Sequence, residues 1–295
     1  MKNLQELQTI RDFIRYFTSQ FNQAKLYFGH GTDNAWDEAV ALTFYGLNLS
    51  HELYAQVLDA RLTEPEKHLL VKLAEQRITT RKPLPYLTHE AWFAGMKFYV
   101  DERVLIPRSP IAELIQNDFS PWIEETKIQH ILDLCCGSAC IAIACAKQFP
   151  DAQIDAADIN QDALDVAEIN VSHYHLNDQI RLIQSDLFAN LQRQKYDVII
   201  ANPPYVDAMD MQNLPAEYQH EPAIALKAGI DGLDCVSVIL QQAHKHLTPH
   251  GILICEVGNS AQALMEKYPH LPFTWLEFTH GEAEVFLLHY EDLVN

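Results

Sequence analysis

The residues with most to offer chemically are Asn202-Pro203-Pro204-Tyr205. They follow Tyr196-Asp197-Val198-Ile199-Ile200-Ala201, a short apolar run rich in β-branched residues that reads as a buried strand. Two prolines in a row cannot continue a strand ladder, so the strand stops there. A side-chain amide and an aromatic ring are thereby held at a strand's carboxyl end, outside which open α/β sheets bind their ligands. Taken alone, the same four residues fit an ordinary strand-to-loop exit through a proline turn.

Three further stretches place polar groups at strand ends. Ile131-Leu132-Asp133-Leu134-Cys135-Cys136-Gly137-Ser138-Ala139-Cys140 reads as an apolar strand, a small-residue loop and a helix start. Small residues let backbone approach a ligand closely, or let a strand and helix pack tightly. The loop is neither the Gly-x-Gly-x-x-Gly of pyrophosphate binders nor a P-loop. Its carboxylate, Asp133, argues against a bound phosphate and suits a cation such as an amino acid's ammonium group. Asp158 closes the next strand about 20 residues on, where an acidic side chain suits the hydroxyls of a ribose. It also sits where a helix cap would, although Asn160 is itself a good cap. Gln184-Ser185-Asp186-Leu187-Phe188 ends a third strand. Asp186 could accept from an exocyclic amine with Leu187 or Phe188 against a base; a plain turn is the other reading.

The elements that must position these groups alternate from His130 onward. Strands are expected at 130–135, 153–158, 180–184, 196–201, 250–256, 272–278 and 284–289, and helices at about 139–148, 161–172, 234–247 and 259–267. This alternation predicts an α/β fold with a seven-stranded, mainly parallel sheet and helices on both faces. Only Thr279-His280-Gly281-Glu282 separates the last two strands, too few residues for a crossover, so they form a terminal antiparallel hairpin.

Before that domain the pattern is helical. Leu4, Leu7, Ile10, Ile14, Phe17 and Phe21 recur at three- and four-residue steps. A second helix starts near Asp33-Asn34, and a third follows Ser50. A fourth opens at Thr63-Glu64-Pro65-Glu66, a capping box with proline in the first turn. Gly29-His30-Gly31 is a turn between the first two, with His30 as a loop residue. Arg81-Lys82-Pro83-Leu84-Pro85-Tyr86 breaks the pattern and suits a semi-rigid linker. Trp92 to Val100 reads as a hairpin turning at Gly95, and Ser109-Pro110 opens a helix over Ile111 to Phe119. The expected organisation is an N-terminal helical domain at 1–82, a linker with a β-hairpin at 83–108 and a catalytic domain at 109–295.

Composition narrows the class. A chain of 295 residues, almost half of them hydrophobic, can bury a sizeable core. No run reaches the ~20 apolar residues of a membrane span, and Met1-Lys2-Asn3-Leu4-Gln5-Glu6 lacks the apolar stretch of a signal peptide. Four of the six cysteines bunch between Cys135 and Cys145, unlike a disulfide framework, so a reducing cytoplasmic setting is expected. There is no pair of Cys-x-x-Cys motifs, and the fourteen histidines are scattered, so no metal is expected. A net charge of −19 repels phosphate backbones and would attract a basic partner.

Small-residue loop, acidic strand end and Asn-Pro-Pro-Tyr in register resemble a class I S-adenosylmethionine-dependent methyltransferase over residues 130–290. The Asn-Pro-Pro-Tyr motif is similar to that of enzymes methylating planar NH2 groups: amino methyltransferases of nucleic acids and protein glutamine N(5)-methyltransferases. A helical bundle, a hairpin linker and Ile106-Pro107-Arg108 ahead of the catalytic domain resemble the bacterial glutamine methyltransferase family over nearly the whole chain. Pro107-Arg108-Ser109-Pro110, with Phe28-Gly29-His30-Gly31-Thr32-Asp33-Asn34-Ala35-Trp36, resembles the branch acting on large-subunit ribosomal protein uL3. Release-factor enzymes usually continue Ile-Pro-Arg with Pro-Asp-Thr-Glu. Glu221-Pro222-Ala223-Ile224-Ala225-Leu226 and Gly229-x-Asp231-Gly232-Leu233-Asp234 also match the family, and that loop is expected near the site.

The resemblance implies S-adenosylmethionine as cofactor. It would be held by Asp133 at the methionine ammonium, by the loop residues Cys135, Gly137 and Ala139, by Asp158 at the ribose, by Asp186 and Leu187 at the adenine, and by Asn202. It implies that the Asn202 side-chain oxygen and the Pro203 carbonyl accept the two N–H bonds of a glutamine amide, with Pro204 in the substrate contact and Tyr205 packed on the flat amide. Arg108 would help close the site. The family loop usually reads Gly-Ser-Gly. Here Ala139 ends it, which is tolerable with helical dihedrals and costly at positive φ. Cys135 reads as a small core residue, not a nucleophile. A release-factor enzyme, a nucleic-acid amino methyltransferase and a non-catalytic binding module of the same fold are the competing readings. The acidic charge disfavours the second of these and the intact motif the third.

Overall fold

The computed structural model describes residues 4–124, 127–191, 194–279 and 284–294. They form two compact units, one of residues up to Glu90 together with Pro215–His220, the other of Ala91–Leu214 and Glu221 onward.

The first unit is helical: α1 (Ile10–Gln23), α2 (Ala35–Gly46), α3 (Tyr54–Val57), α4 (Glu64–Thr80) and α5 (Leu84–Thr88). Local chemistry sets its starts. Asn34 accepts from the Trp36 and Asp37 amides, and Thr63 and Glu66 form the expected capping box with proline in the first turn of α4. Phe13, Ile14, Phe17 and Phe21 are fully buried against Leu42, Phe44 and Leu70. Each is worth about 2 kcal/mol of apolar burial. Residues 84–88, expected within a linker, form the short α5 because Pro85 lies at its start, where a missing N–H costs nothing.

Arg77 is 1% exposed in this helical core. Its Nε donates to Glu38 Oε1 at 2.6 Å and its Nη2 to the Tyr27 carbonyl at 3.1 Å. Glu217, also buried, accepts from Arg81 Nη2 at 2.7 Å and from the Tyr27 amide at 3.0 Å. That carboxylate ties Pro215–His220 into the first unit. His30 lies in the turn between α1 and α2, as expected, and is buried there, its ring centroid 4.4 Å from that of Tyr218.

The second unit opens with the hairpin β1 (Ala91–Phe93) and β2 (Met96–Phe98) and the short α6 (Ile111–Gln116). There follow β3 (His130–Leu134), α7 (Cys140–Gln148), β4 (Gln153–Asp158), α8 (Gln161–His173), β5 (Ile180–Gln184), β6 (Tyr196–Ala201), α9 (Asp210–Asn213), α10 (Asp234–Gln242), β7 (Leu247–Glu256), α11 (Ala261–Lys267), β8 (Thr274–Trp275) and β9 (Val285–His289). The sheet order is β5-β4-β3-β6-β7-β9-β8, parallel except at β9 and β8. Strand β8 pairs over two residues, Thr274 and Trp275, where seven were expected. The turn expected at 279–282 lies, from His280 on, outside the described residues. Helix α10 stops at Gln242 and continues as a 3-10 turn over Ala243–Lys245 before β7 opens at Leu247.

Both sheet faces are covered, so these strands read as continuous apolar runs. Ile131, Ile154, Val198, Ile200, Ile252 and Ile254 pack on one face with α7 and α8 residues. Leu132, Leu134, Ile199, Leu253 and Phe286 pack on the other with Val236, Ile239 and Leu264.

Candidate active site

The chain runs outward from β3 to β4 and β5, then crosses back to add β6 on the other side of β3. Strand order therefore reverses between β3 and β6, and their carboxyl ends flank the crevice. Leu134 pairs with Ala157 on one side and Ala201 on the other, and Ala201 pairs with Cys255. The residues after these four strands stand level along one edge of the sheet. A cleft opens there, with Cys135, Gly137, Asp158, Asn202 and Pro204 in its lining. Its outer wall is built from Arg103 to Ser109 and from Pro222, Ile224 and Ala225.

Asn202 faces this cleft, and its side chain has no hydrogen-bond partner among the described residues. Pro203 is buried and Pro204 half-buried, so the turn after β6 is stiff on both counts. Gly137 sits at φ +52°, and a Cβ there would meet nothing within 4 Å. The loop thus offers open space beside exposed backbone, a cradle for a ligand that needs close approach. Asp158 holds that loop down: its Oδ2 accepts from the Gly137 amide at 3.0 Å and its Oδ1 from the Asn160 amide at 2.9 Å. Asn160 caps α8, so Asp158 is released from that duty and lines the cleft. Burial raises its pKa above the usual carboxylate value.

Other expected site residues fall elsewhere. Asp133 lies beneath the loop, fully buried, its Oδ2 accepting from the Ala142 amide at 3.0 Å. That is the first turn of α7, so the carboxylate serves the helix N-terminus and does not line the cleft. Burial pushes its pKa up to about 8. Ala139 has φ +61° and ψ 25°, the costly conformation, at roughly 1 kcal/mol for a residue with a Cβ. Its methyl belongs to the core cluster of that sheet face and not to the cleft, so burial offsets the strain. Asp186 is exposed and Leu187 packs against the core, in a turn closed by Ser185 Oγ donating to the Leu187 carbonyl at 2.6 Å. Neither lines the cleft.

Tyr205 is also absent from the lining. Its hydroxyl donates to Glu256 Oε1 at 2.9 Å and its carbonyl accepts from Ser260 Oγ at 3.0 Å. Cys135, expected both in the cofactor loop and as a small core residue, lines the cleft at φ +60°; burial raises its thiol well above the ordinary value, so it carries no thiolate.

Both guanidinium groups in the lining are committed. Arg103 makes a fork to Asp101, at 2.9 and 2.7 Å. Arg108 makes one to Glu221, at 2.6 and 2.9 Å, and Glu221 also accepts from the Ile106 amide at 3.2 Å. This second pair ties the two halves of the outer wall together. Arg108→Ala is expected to lower stability by about 3 kcal/mol, because it leaves a fully buried carboxylate without that guanidinium. Thermal and denaturant unfolding read this directly; an unchanged midpoint would show that the pair does not hold the wall.

The loop opened by Glu221 was expected near the site; Ser109 in the lining and Glu256 behind it are the residues that motif reading missed. Glu256 had a signal, since it is one more acidic residue at a strand's carboxyl end. Ser109 had none apart from its place in a family-like stretch.

Comparison with known proteins agrees with this geometry. Residues 119–229 match the family described as Methyltransferase small domain. A ribosomal protein uL3 glutamine methyltransferase of Neisseria meningitidis is 52% identical over 292 residues, covering 99% of this chain and 96% of that protein. Its counterpart from Francisella tularensis is 50% identical over 293 residues, covering 99% and 93%. Among solved structures, the hMettl16 catalytic domain bound to a MAT2A 3'UTR hairpin shares the fold at a TM-score of 0.54. Its identity is 18%, with 77% of this chain and 82% of that one covered. With about half its residues identical to each of two relatives over nearly the full length of both, this chain belongs to the family of ribosomal protein uL3 glutamine methyltransferases, S-adenosylmethionine-dependent enzymes of the class I methyltransferase fold.

Proposed function

We propose that this chain methylates the side-chain amide nitrogen of a glutamine in ribosomal protein uL3. The observation that carries the reading is the Asn202 amide, without a partner among the described residues and held at a rigid turn across the switch point from the Gly137 loop. S-adenosylmethionine supplies an electrophilic methyl group when bound. The residues that fit it are Asp158 toward the ribose hydroxyls and the open backbone at Gly137 toward the rest of the cofactor.

An amide nitrogen is a poor nucleophile because its lone pair is delocalised into the carbonyl. The Asn202 Oδ1 and the Pro203 carbonyl would accept its two N–H bonds, orient the group and favour pyramidal nitrogen. Rate then comes from positioning and exclusion of water, and no strong base is demanded of the chain. Both cleft arginines already have carboxylate partners, which suits a neutral amide better than a phosphate-bearing acceptor. The net charge of −19 favours encounter with a basic protein. Such a reaction would take place in the cytoplasm, on uL3 as free protein or in an assembly intermediate. Among the described residues no helix is long and apolar enough to cross a membrane.

Tritiated methyl transfer to purified uL3, with a peptide release factor as comparator, tests the substrate. Label is expected in uL3, and a Gln→Asn series in uL3 would locate it. Label in the release factor alone would replace this reading with the release-factor one.

A further inference from the structure

Beyond the residues that line the cleft, the end of β7 carries a buried carboxylate for which the proposed reaction gives no direct use. Glu256 is 2% exposed. Because Ala201 pairs with Cys255, Glu256 stands one strand over from Asn202 and level with it. Each of its oxygens has a donor: Ser109 Oγ at 2.5 Å on Oε2 and the Tyr205 hydroxyl at 2.9 Å on Oε1. Burial raises the pKa of this carboxyl, so the two donors and nearby Arg108 are what favour its charged form.

Tyr205 is fixed at three points. Its hydroxyl is on Glu256, its carbonyl is on Ser260 Oγ, and its ring lies against Gly258, where a Cβ would come within 2.4 Å of Tyr205 Cε2. Only Pro203 and Pro204 separate this anchored residue from Asn202, and both have a locked φ. Movement of the tyrosine is therefore passed to the amide with little slack. Ser109 itself lines the cleft, so one carboxylate joins that part of the lining to the turn.

We propose that Glu256 is a positioning residue: through Tyr205 and Ser109 it sets where the Asn202-Pro203 acceptors stand relative to the cleft. This rests on the methyl-transfer reading and alters one expectation within it. Tyr205 acts as an anchor for the motif, in place of a surface packed on the substrate amide.

The test is steady-state methyl transfer to uL3 by Glu256→Gln, Tyr205→Phe and the double variant, with S-adenosylmethionine affinity measured separately. Misplacing an acceptor by about 1 Å costs on the order of 100-fold. Each single variant is expected to lose about 10- to 100-fold in kcat, with KM for uL3 changed far less and cofactor affinity within about twofold. The double variant should be no slower than the worse single one, because both break the same contact. If Glu256→Gln does not fold, Ser109→Ala with Tyr205→Phe reads the same network, since each removes one hydroxyl. Unimpaired kcat in the variants, or losses that multiply, would overturn the inference. An inactive parent chain in that assay would overturn the methyl-transfer reading itself; an active parent with unimpaired variants sinks the positioning role alone.

Discussion

Asn202→Ala is expected to reduce methyl transfer by about 10³-fold, the scale seen when one preorganised hydrogen-bonding group is removed from a reacting centre. Cofactor affinity should stay within about twofold. The reasoning is geometric. The Asn202 side chain faces the cleft and has no partner among the described residues, so it is free to bond an incoming amide. Alanine removes that acceptor and leaves the Pro203-Pro204 turn and the Tyr205 anchor in place. Unfolding midpoints should barely move, since the side chain supports nothing else. Asn202→Asp is the informative partner. It keeps acceptor oxygens in the same place but adds a charge beside the cleft, so it should retain more activity than alanine and less than the parent chain. Parent-level transfer by Asn202→Ala would remove the amide clamp from the mechanism.

Asp158→Ala should weaken S-adenosylmethionine binding by about 100-fold, the cost of roughly two charge-assisted hydrogen bonds. Two effects add. The ribose acceptor proposed at Asp158 is removed, and the Gly137 amide loses the carboxylate it donates to. Asp158→Asn separates them. An asparagine can accept only one of the two backbone N–H bonds now received from Gly137 and Asn160, and its NH2 must face the other. If loop support dominates, both variants lose affinity alike; if the ribose contact dominates, asparagine keeps part of it. Titration calorimetry with S-adenosylmethionine or its demethylated product measures this. Unchanged affinity in Asp158→Ala would remove the residue from the cofactor site.

Much of the architecture is legible in local pattern. The strands around Ile131, Ile154, Val198 and Ile252 announce themselves as short β-branched runs buried on both faces. The helix starts at Asn34, Thr63 and Asn160 follow from side chains that satisfy orphan amides. The site was legible where it depends on strand ends, and Asn202 and Asp158 reach the cleft as their positions implied. Asp133, Ala139, Asp186, Leu187, Pro203 and Tyr205 do not line it. At a strand end one residue of difference turns a side chain from the cleft into the core or beneath a helix, and residue type alone does not reveal which.

Residue types and their short-range spacing decide the alternation of strand and helix, the rigid Asn-Pro-Pro-Tyr turn and the acidic character of the chain, because periodicity, capping and proline geometry act within a few residues. The contacts that give the cleft its shape span far greater separations. Ser109 meets Glu256 across 147 positions and Arg108 meets Glu221 across 113. Those pairings exist only once sheet order and register are set. Whether a carboxylate becomes a ligand, a helix cap or an anchor for the motif tyrosine is then decided by which donors the fold brings to it.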